Sequence, residues 1–172
     1  GNVGGKYCFA AVNGGRVYRY DGSNWSDIST VGDANYRNIS ASNDGKKWIV
    51  AVSGGRLYYY NGSNYVEQQP AGNVNLNWLA CAISGDGSRM IAAVYGGRIY
   101  YYNGSTWGEI QPAGNTNIHW GCVAISDDGS KYLMGVQIGG RLYYYNGSSY
   151  VEQQPAGATD RNWTGCALSS DG

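Results

Sequence analysis

Charge is scarce in this 172-residue chain, and it cancels: twelve Lys and Arg stand against twelve Asp and Glu. No basic block occurs, so nucleic acid has no electrostatic footprint here. Long apolar runs are also missing. The longest fall far short of the ~20 residues that a membrane-spanning helix needs. The single histidine, His119, cannot by itself build a metal cage or a Ser–His–Asp triad. It stands where other units carry Asn77 and Asn162, and it reads as a surface-loop residue. Phe occurs once and Pro three times, and nothing keeps helical periodicity for more than a turn. No cofactor and no metal are expected. There is no secretory signal and no initial Met, so the chain reads as a processed product or an excised piece.

What the chain has in quantity is Gly (28), Tyr (17) and Trp (6). Much Gly with many aromatics suits short strands joined by tight turns. The length fits one domain, 1–172, able to bury roughly 70% of its unfolded surface.

Four near-identical stretches organise that domain: GGRVYRYDGSNW (14–25), GGRLYYYNGSNY (54–65), GGRIYYYNGSTW (96–107) and GGRLYYYNGSSY (139–150). Their starts are 40, 42 and 43 residues apart. Residues 77–115 show one unit in full. Asp86-Gly87, Gly96-Gly97 and Asn103-Gly104 each supply the positive φ of a tight hairpin turn, and they divide the unit into four antiparallel strands, A to D. PAGN then leads to the next A, with Pro70, Pro112 and Pro155 placed where no ladder bond is needed. The units run about 5–35, 36–77, 78–119 and 120–162, with a closing strand at 163–172.

Four-stranded units at this period predict an all-β fold, a β-propeller of four antiparallel blades. Each sheet is apolar on both faces and must be sandwiched between copies of itself. The chain ends on NWTGCALSSDG, a strand A without its B, and begins with GGKYCFAAV, a strand B without its A. Pairing them would complete one blade from the N- and C-terminal strands and leave no open edge. The alternative is part of a larger ring, completed by a second chain.

The turn between strands C and D reads YDGSNW (20–25), YNGSNY (60–65), YNGSTW (102–107) and YNGSSY (145–150). With the NW…S-x-DG…AAV…GG-R pattern before it, the unit resembles the bacterial sialidase-like repeats that carry an Asp-box, Ser-x-Asp-x-Gly-x-Thr-Trp. Here the turn is one residue shorter, Tyr replaces the leading Ser, and the Asp survives only as Asp21. The resemblance implies a propeller fold and not sialidase activity. That activity needs an arginine trio, a Tyr–Glu pair and an acid Asp, each unique, whereas Arg16, Arg56, Arg98 and Arg141 are one position repeated. A second resemblance, to fucose-binding propeller lectins, rests on aromatics after a Gly turn in each blade.

Strand direction puts the GGR turn, the PAGN loop and the start of strand A on one rim. That rim gives the ligand-binding candidates Arg16, Arg56, Arg98, Arg141, Tyr36, Trp78, Trp120 and Trp163, which suit stacking on a sugar ring and bonding its hydroxyls. The alternating tyrosines of strand C read as packing between blades. Glu67, Glu109 and Glu152 occupy equivalent places on strand D, too far apart around a ring for a paired-carboxylate glycosidase site. Six sequons occur, at Asn24, Asn38, Asn61, Asn103, Asn146 and Asn162, and they are glycosylation candidates if the chain is secreted. Cys81 and Cys166 share one slot of strand A and Cys122 lies one residue earlier, so all three read as small buried hydrophobes. If the ring closes on itself, a Cys8–Cys166 disulfide would staple its seam.

The leading expectation is a non-enzymatic extracellular or surface-associated module that binds carbohydrate or protein on the Arg/Trp rim, with equal blades giving equal sites. The alternatives are a structural repeat of a surface fibre, phage tail or other assembly, forming a homo-oligomer or filament, and a divergent glycoside hydrolase.

Overall fold

The computed structural model describes residues 7–172, and every regular element among them is a strand. The first unit supplies β1 (Cys8–Ala11), β2 (Asn13–Gly15), β3 (Val17–Tyr20) and β4 (Trp25–Asp27). Three complete blades follow. They are β5 (Ala34–Ala41), β6 (Trp48–Gly55), β7 (Leu57–Tyr60) and β8 (Tyr65–Gln68); β9 (Leu76–Ile83), β10 (Met90–Gly97), β11 (Ile99–Tyr102) and β12 (Trp107–Ile110); and β13 (Ile118–Ile125), β14 (Tyr132–Val136), β15 (Leu142–Tyr145) and β16 (Tyr150–Gln153). All pairing is antiparallel, and within each complete blade it joins strands that are neighbours in sequence, as a β-propeller requires.

Each turn has a local cause. Between strands A and B, the buried hydroxyls of Ser42, Ser84 and Ser126 donate to Asp44, Asp86 and Asp128 at 2.7, 2.7 and 2.6 Å. The same hydroxyls accept from the amides of Lys47, Arg89 and Lys131. Between strands C and D, Oδ1 of Asn61, Asn103 and Asn146 accepts two amides of its own turn at 2.9–3.0 Å, as does Asp21 at 2.8 Å. The Gly-Gly pair does more than turn the chain. Gly54 takes φ 72°. A Cβ on Gly55 would lie 2.8 Å from Val52 Cγ1. The second glycine also extends strand B into the next blade: Gly15 pairs with Ala34, Gly55 with Leu76, and Gly97 with Ile118.

The core lies between blades. One cluster joins Ile49, Ala51 and Leu57 of the second unit to Trp78, Met90 and Ala92 of the third. Another joins Ile91, Ala93 and Ile99 to Trp120, Met134 and Val136. A third holds Val17 against Tyr36, Trp48 and Val50. A fully buried Ile or Leu contributes roughly 1.5–3 kcal/mol and an exposed ion pair at most about 1 kcal/mol, so these clusters hold the blades together. Strand C tyrosines join in. Tyr60 stacks on Trp48 and Tyr145 on Tyr132, while the Tyr59 and Tyr101 hydroxyls donate to Gly87 O and Gly129 O of the following blade.

Among the described residues β1 pairs only with β3, and no bridge joins it to the C-terminal stretch. Residues 1–6, where the expected seam would begin, lie outside the described residues. The C-terminal stretch sits instead on the fourth unit, in the place a further blade's strand A would take. Arg161 bridges Gly140, Trp163 N donates to Val136 O at 3.0 Å, and Asp127 N donates to Ser170 O at 2.9 Å. These are the contacts that dock each strand A on the blade before it, and here they act without a strand partner. Among the described residues no helix is long and apolar enough to cross a membrane.

Candidate functional site

Of the predicted rim groups, the aromatics of three units are turned inward. Tyr36, Trp78 and Trp120 are 1–2% exposed and wedge between blades, so none offers a ring face to a sugar. The sequence hides this because the partners of each wedge lie about one repeat away. Trp163 is half-buried, with its Nε1 donating to Gly140 O at 3.2 Å.

The four repeated arginines are engaged within their own units. Arg16 pairs with Asp27 and Asp33, Arg56 with Glu67, Arg98 with Glu109, and Arg141 with Glu152 and Asp160. Arg56 also donates to Val74 O at 2.8 Å and Asn73 Oδ1 at 2.6 Å. This arginine is a clamp that ties strand C to strand D and to the loop after it.

Most of the open space belongs to other residues, although Arg98 lines its outer part. One cavity of about 400 Å³ is lined by Arg37, Ser53, Asn77, Leu79, Tyr95 and Gln137. A second, of about 340 Å³, shares Arg37, Leu79 and Gln137 with it and adds Gly121, Thr164 and the Cys122–Cys166 pair. A third, of about 470 Å³, continues outward from Asn77 and Tyr95 between the loop at 71–75 and the Gly96-Gly97 turn. Strands A and B of successive blades line the inner two, so together they form the mouth and wall of a central channel. No Asp or Glu lines any of the three. Arg37 is exposed and has no ion pair or hydrogen bond among the described residues. His119, also exposed, meets Tyr95 edge-on at 4.6 Å and flanks the same mouth.

The opposite end of the channel is tight. Asn43 N donates to Gly85 O, Gly85 N to Asp127 O, and Asp127 N to Ser170 O, all at 2.8–2.9 Å. Asn43 Nδ2 reaches across Gly85 to Asp127 Oδ2 at 2.7 Å.

One signal in the sequence marks the mouth. The units agree at GGR, at the Val before it and at the Ser of S-x-D-G. Two of the slots at which all four differ are Asn13, Ser53, Tyr95 and Gln137 after that Val, and Arg37, Leu79, Gly121 and Thr164 in strand A. Seven of these eight residues line the two inner cavities.

Cys8, Cys81, Cys122 and Cys166 are all free thiols. Cys8 lies exposed on β1, and Cys166 is docked on the fourth unit near Leu133 O and Cys122, so the expected seam disulfide is not formed. Cys81 is buried, and desolvation pushes its thiol well up, which makes it inert packing. Of the sequons, Asn24, Asn61, Asn103, Asn146 and Asn162 are exposed. Asn38 is partly buried, its Oδ1 accepting from the Cys81 amide at 3.1 Å.

No family model matches the chain, and no curated protein does. Solved structures do match. A structure of YCF48 bound to D1 peptide superposes with TM-score 0.67 at 18% identity, covering 98% of this chain and 57% of its own. An ancestral GH74 enzyme superposes with TM-score 0.63, again at 18% identity, over 87% of this chain and 22% of its own. At such identity the likeness establishes the propeller fold, and it does not extend to an Asp-box sialidase family. The chain spans little more than half the length of the first of these structures.

Proposed function

We propose that the chain is a non-catalytic propeller module that binds an acidic peptide segment of a partner protein at the mouth of the central channel. The observation that carries this reading is the coincidence of repeat-variable slots with cavity lining. Units that share their turn serines and their GGR arginines diverge at two slots that face the open space. The result is one asymmetric site and not four equal ones.

The chemistry of the lining supports a peptide. Arg37 offers an unpaired guanidinium, the group suited to carboxylates, and no acidic residue competes for it. Asn77 and Gln137 have amides that can bond a peptide backbone, and Tyr95 supplies one aromatic face. A sugar site would call for open aromatic platforms, and the three rings expected to serve are buried. Glycoside hydrolysis uses two facing carboxyl groups, which the cavity linings lack. YCF48, similar in fold, is described as bound to a peptide.

The test is a random-peptide display selection followed by calorimetry, run beside a glycan array and an aryl-glycoside hydrolysis assay. The expected result is enrichment of acidic peptides, with Arg37→Ala and Tyr95→Ala each lowering affinity at least tenfold at unchanged melting temperature. Binding of glycans alone, or turnover of a glycoside, would overturn the proposal.

A further inference from the structure

The channel wall contains a thiol pair whose origin lies in the repeat. Asn38 and Cys122 each stand two residues after the strand A aromatic, Tyr36 or Trp120. Cys81 and Cys166 each stand three residues after theirs, Trp78 or Trp163. These two slots meet across a blade joint. At the joint between the second and third units, the Cys81 amide donates to Asn38 Oδ1 at 3.1 Å and Cys81 Sγ donates to it at 3.2 Å. At the next joint the slots hold Ala80 and Val123, an apolar pair within one core cluster. At the last joint they hold Cys122 and Cys166, which line one cavity together. The tight setting confines both: Cys166 Sγ lies 3.9 Å from Leu133 O, and Cys122 Sγ stands against Gly135, where a Cβ would approach it to 2.7 Å.

From this arrangement we infer that Cys122 and Cys166 are a redox-modification site, which closes to a disulfide on exposure to a low-molecular-weight disulfide such as oxidised glutathione. Both cysteines line the cavity of about 340 Å³, so a small oxidant reaches them from the channel. The Cys166 thiol lowers the pKa of Cys122 beside it and favours the thiolate there. That thiolate attacks one sulfur of oxidised glutathione and expels a glutathione thiolate, leaving a mixed disulfide on Cys122. Cys166 then loses its proton and attacks Cys122 Sγ, forming the protein disulfide and expelling the second glutathione. Two electrons and two protons leave the protein, and one oxidised glutathione becomes two reduced ones.

The link would fasten the stretch from Trp163 onward to the fourth unit. That stretch is otherwise held by a few bonds, among them Trp163 N to Val136 O at 3.0 Å and Lys131 Nζ to Asp171 O at 2.6 Å. Thr164 and Gly165 line the same cavity as Arg37 and Gln137, so oxidation fixes one wall of the channel. The inference holds whatever the channel binds.

The chain is incubated with oxidised glutathione, alkylated, cleaved with trypsin without reductant and analysed by mass spectrometry. The tryptic peptide 99–131 carries Cys122, and the one starting at Asn162 carries Cys166. The expected result is a species joining these two peptides, lost on reduction, with a raised melting temperature for the oxidised chain. Cys166→Ser should abolish both, and Cys122→Ala gives a second variant should the first fold poorly. Alkylation of both cysteines after oxidation, or a link from either to Cys8 or Cys81, would overturn the inference.

Discussion

The two ends of the channel are built from the same four repeats and have opposite characters. At the tight end the units agree: Ser42, Ser84 and Ser126 are buried and bonded alike, and backbone bonds pass from Asn43 to Gly85 to Asp127 to Ser170. At the open end every unit brings a different residue, and the space between them is unfilled. The difference shows what a repeat must keep. It keeps the groups that shape its turns, and it varies the groups that face solvent or a ligand as well as some that pack between blades, such as Trp48, Met90 and Tyr132.

Trp120→Ala should have the largest effect, although Trp120 belongs to the rim that looked like a binding surface. It is 2% exposed and packed between the third and fourth units, so its loss should cost about 3–5 kcal/mol. Urea unfolding measures this. A loss under about 1 kcal/mol, the usual size for a surface change, would return Trp120 to the ligand candidates.

Glycines give the next contrast. A Cβ on Gly85 would lie 2.5 Å from Asn43 Nδ2 and 2.9 Å from Asp127 Cγ, so Gly85→Ala should cost about 1–3 kcal/mol by overpacking. A Cβ on Gly165, in the channel wall, meets nothing within 4 Å, and Gly165→Ala should stay within about 0.5 kcal/mol. Equal costs would dissolve the distinction between a tight end and an open one.

Acid should loosen the tight end first. The Ser126 hydroxyl and the Ser130 amide hold the Asp128 carboxyl down to about 2. The Lys46 amide and the Ser42 hydroxyl lower that of Asp44. At Asp86 burial pushes upward, but bonds from the Ser88 amide and the Ser84 hydroxyl outweigh it, and the net direction is down. An unfolded Asp titrates near ~3.9, so the unfolded chain binds more protons in this range. The stabilisation is therefore complete above about pH 4 and is lost as pH falls toward 2. Urea midpoints measured from pH 5 down to 2.5 should fall along that limb, and Asp128→Asn should flatten it. An identical limb in the variant would remove Asp128 from the cause.

Much of the fold is legible because turn chemistry is local. Asn-Gly, Asp-Gly and Gly-Gly mark hairpins from two residues each, and their spacing counts the blades. The site was less legible, since what buries Trp78 or frees Arg37 is a residue about one repeat away. Burial of the rim aromatics, the docking of residues 163–172 on the fourth unit, and the meeting of Cys122 with Cys166 all depend on contacts between units. Differences among the units do mark the mouth in the sequence, but only once strands A and B are known to line the channel. A reading that looks for repeated groups selects Arg16, Arg56, Arg98 and Arg141, which the fold uses as clamps.

Two arginines test that last point with the smallest changes in stability. Arg56 is held by Glu67, Val74 O and Asn73, and Arg37 has no partner among the described residues. Arg56→Ala should cost about 0–1 kcal/mol, as partly exposed ion pairs do, and leave ligand affinity unchanged. Arg37→Ala should change stability by less than about 0.5 kcal/mol, because it removes no internal bond, and should still abolish most of the binding. Repeated residues would then be framework and variable ones function. The opposite outcome, with affinity lost at Arg56 and kept at Arg37, would move the site back to the outer rim and restore four equal contacts in place of one.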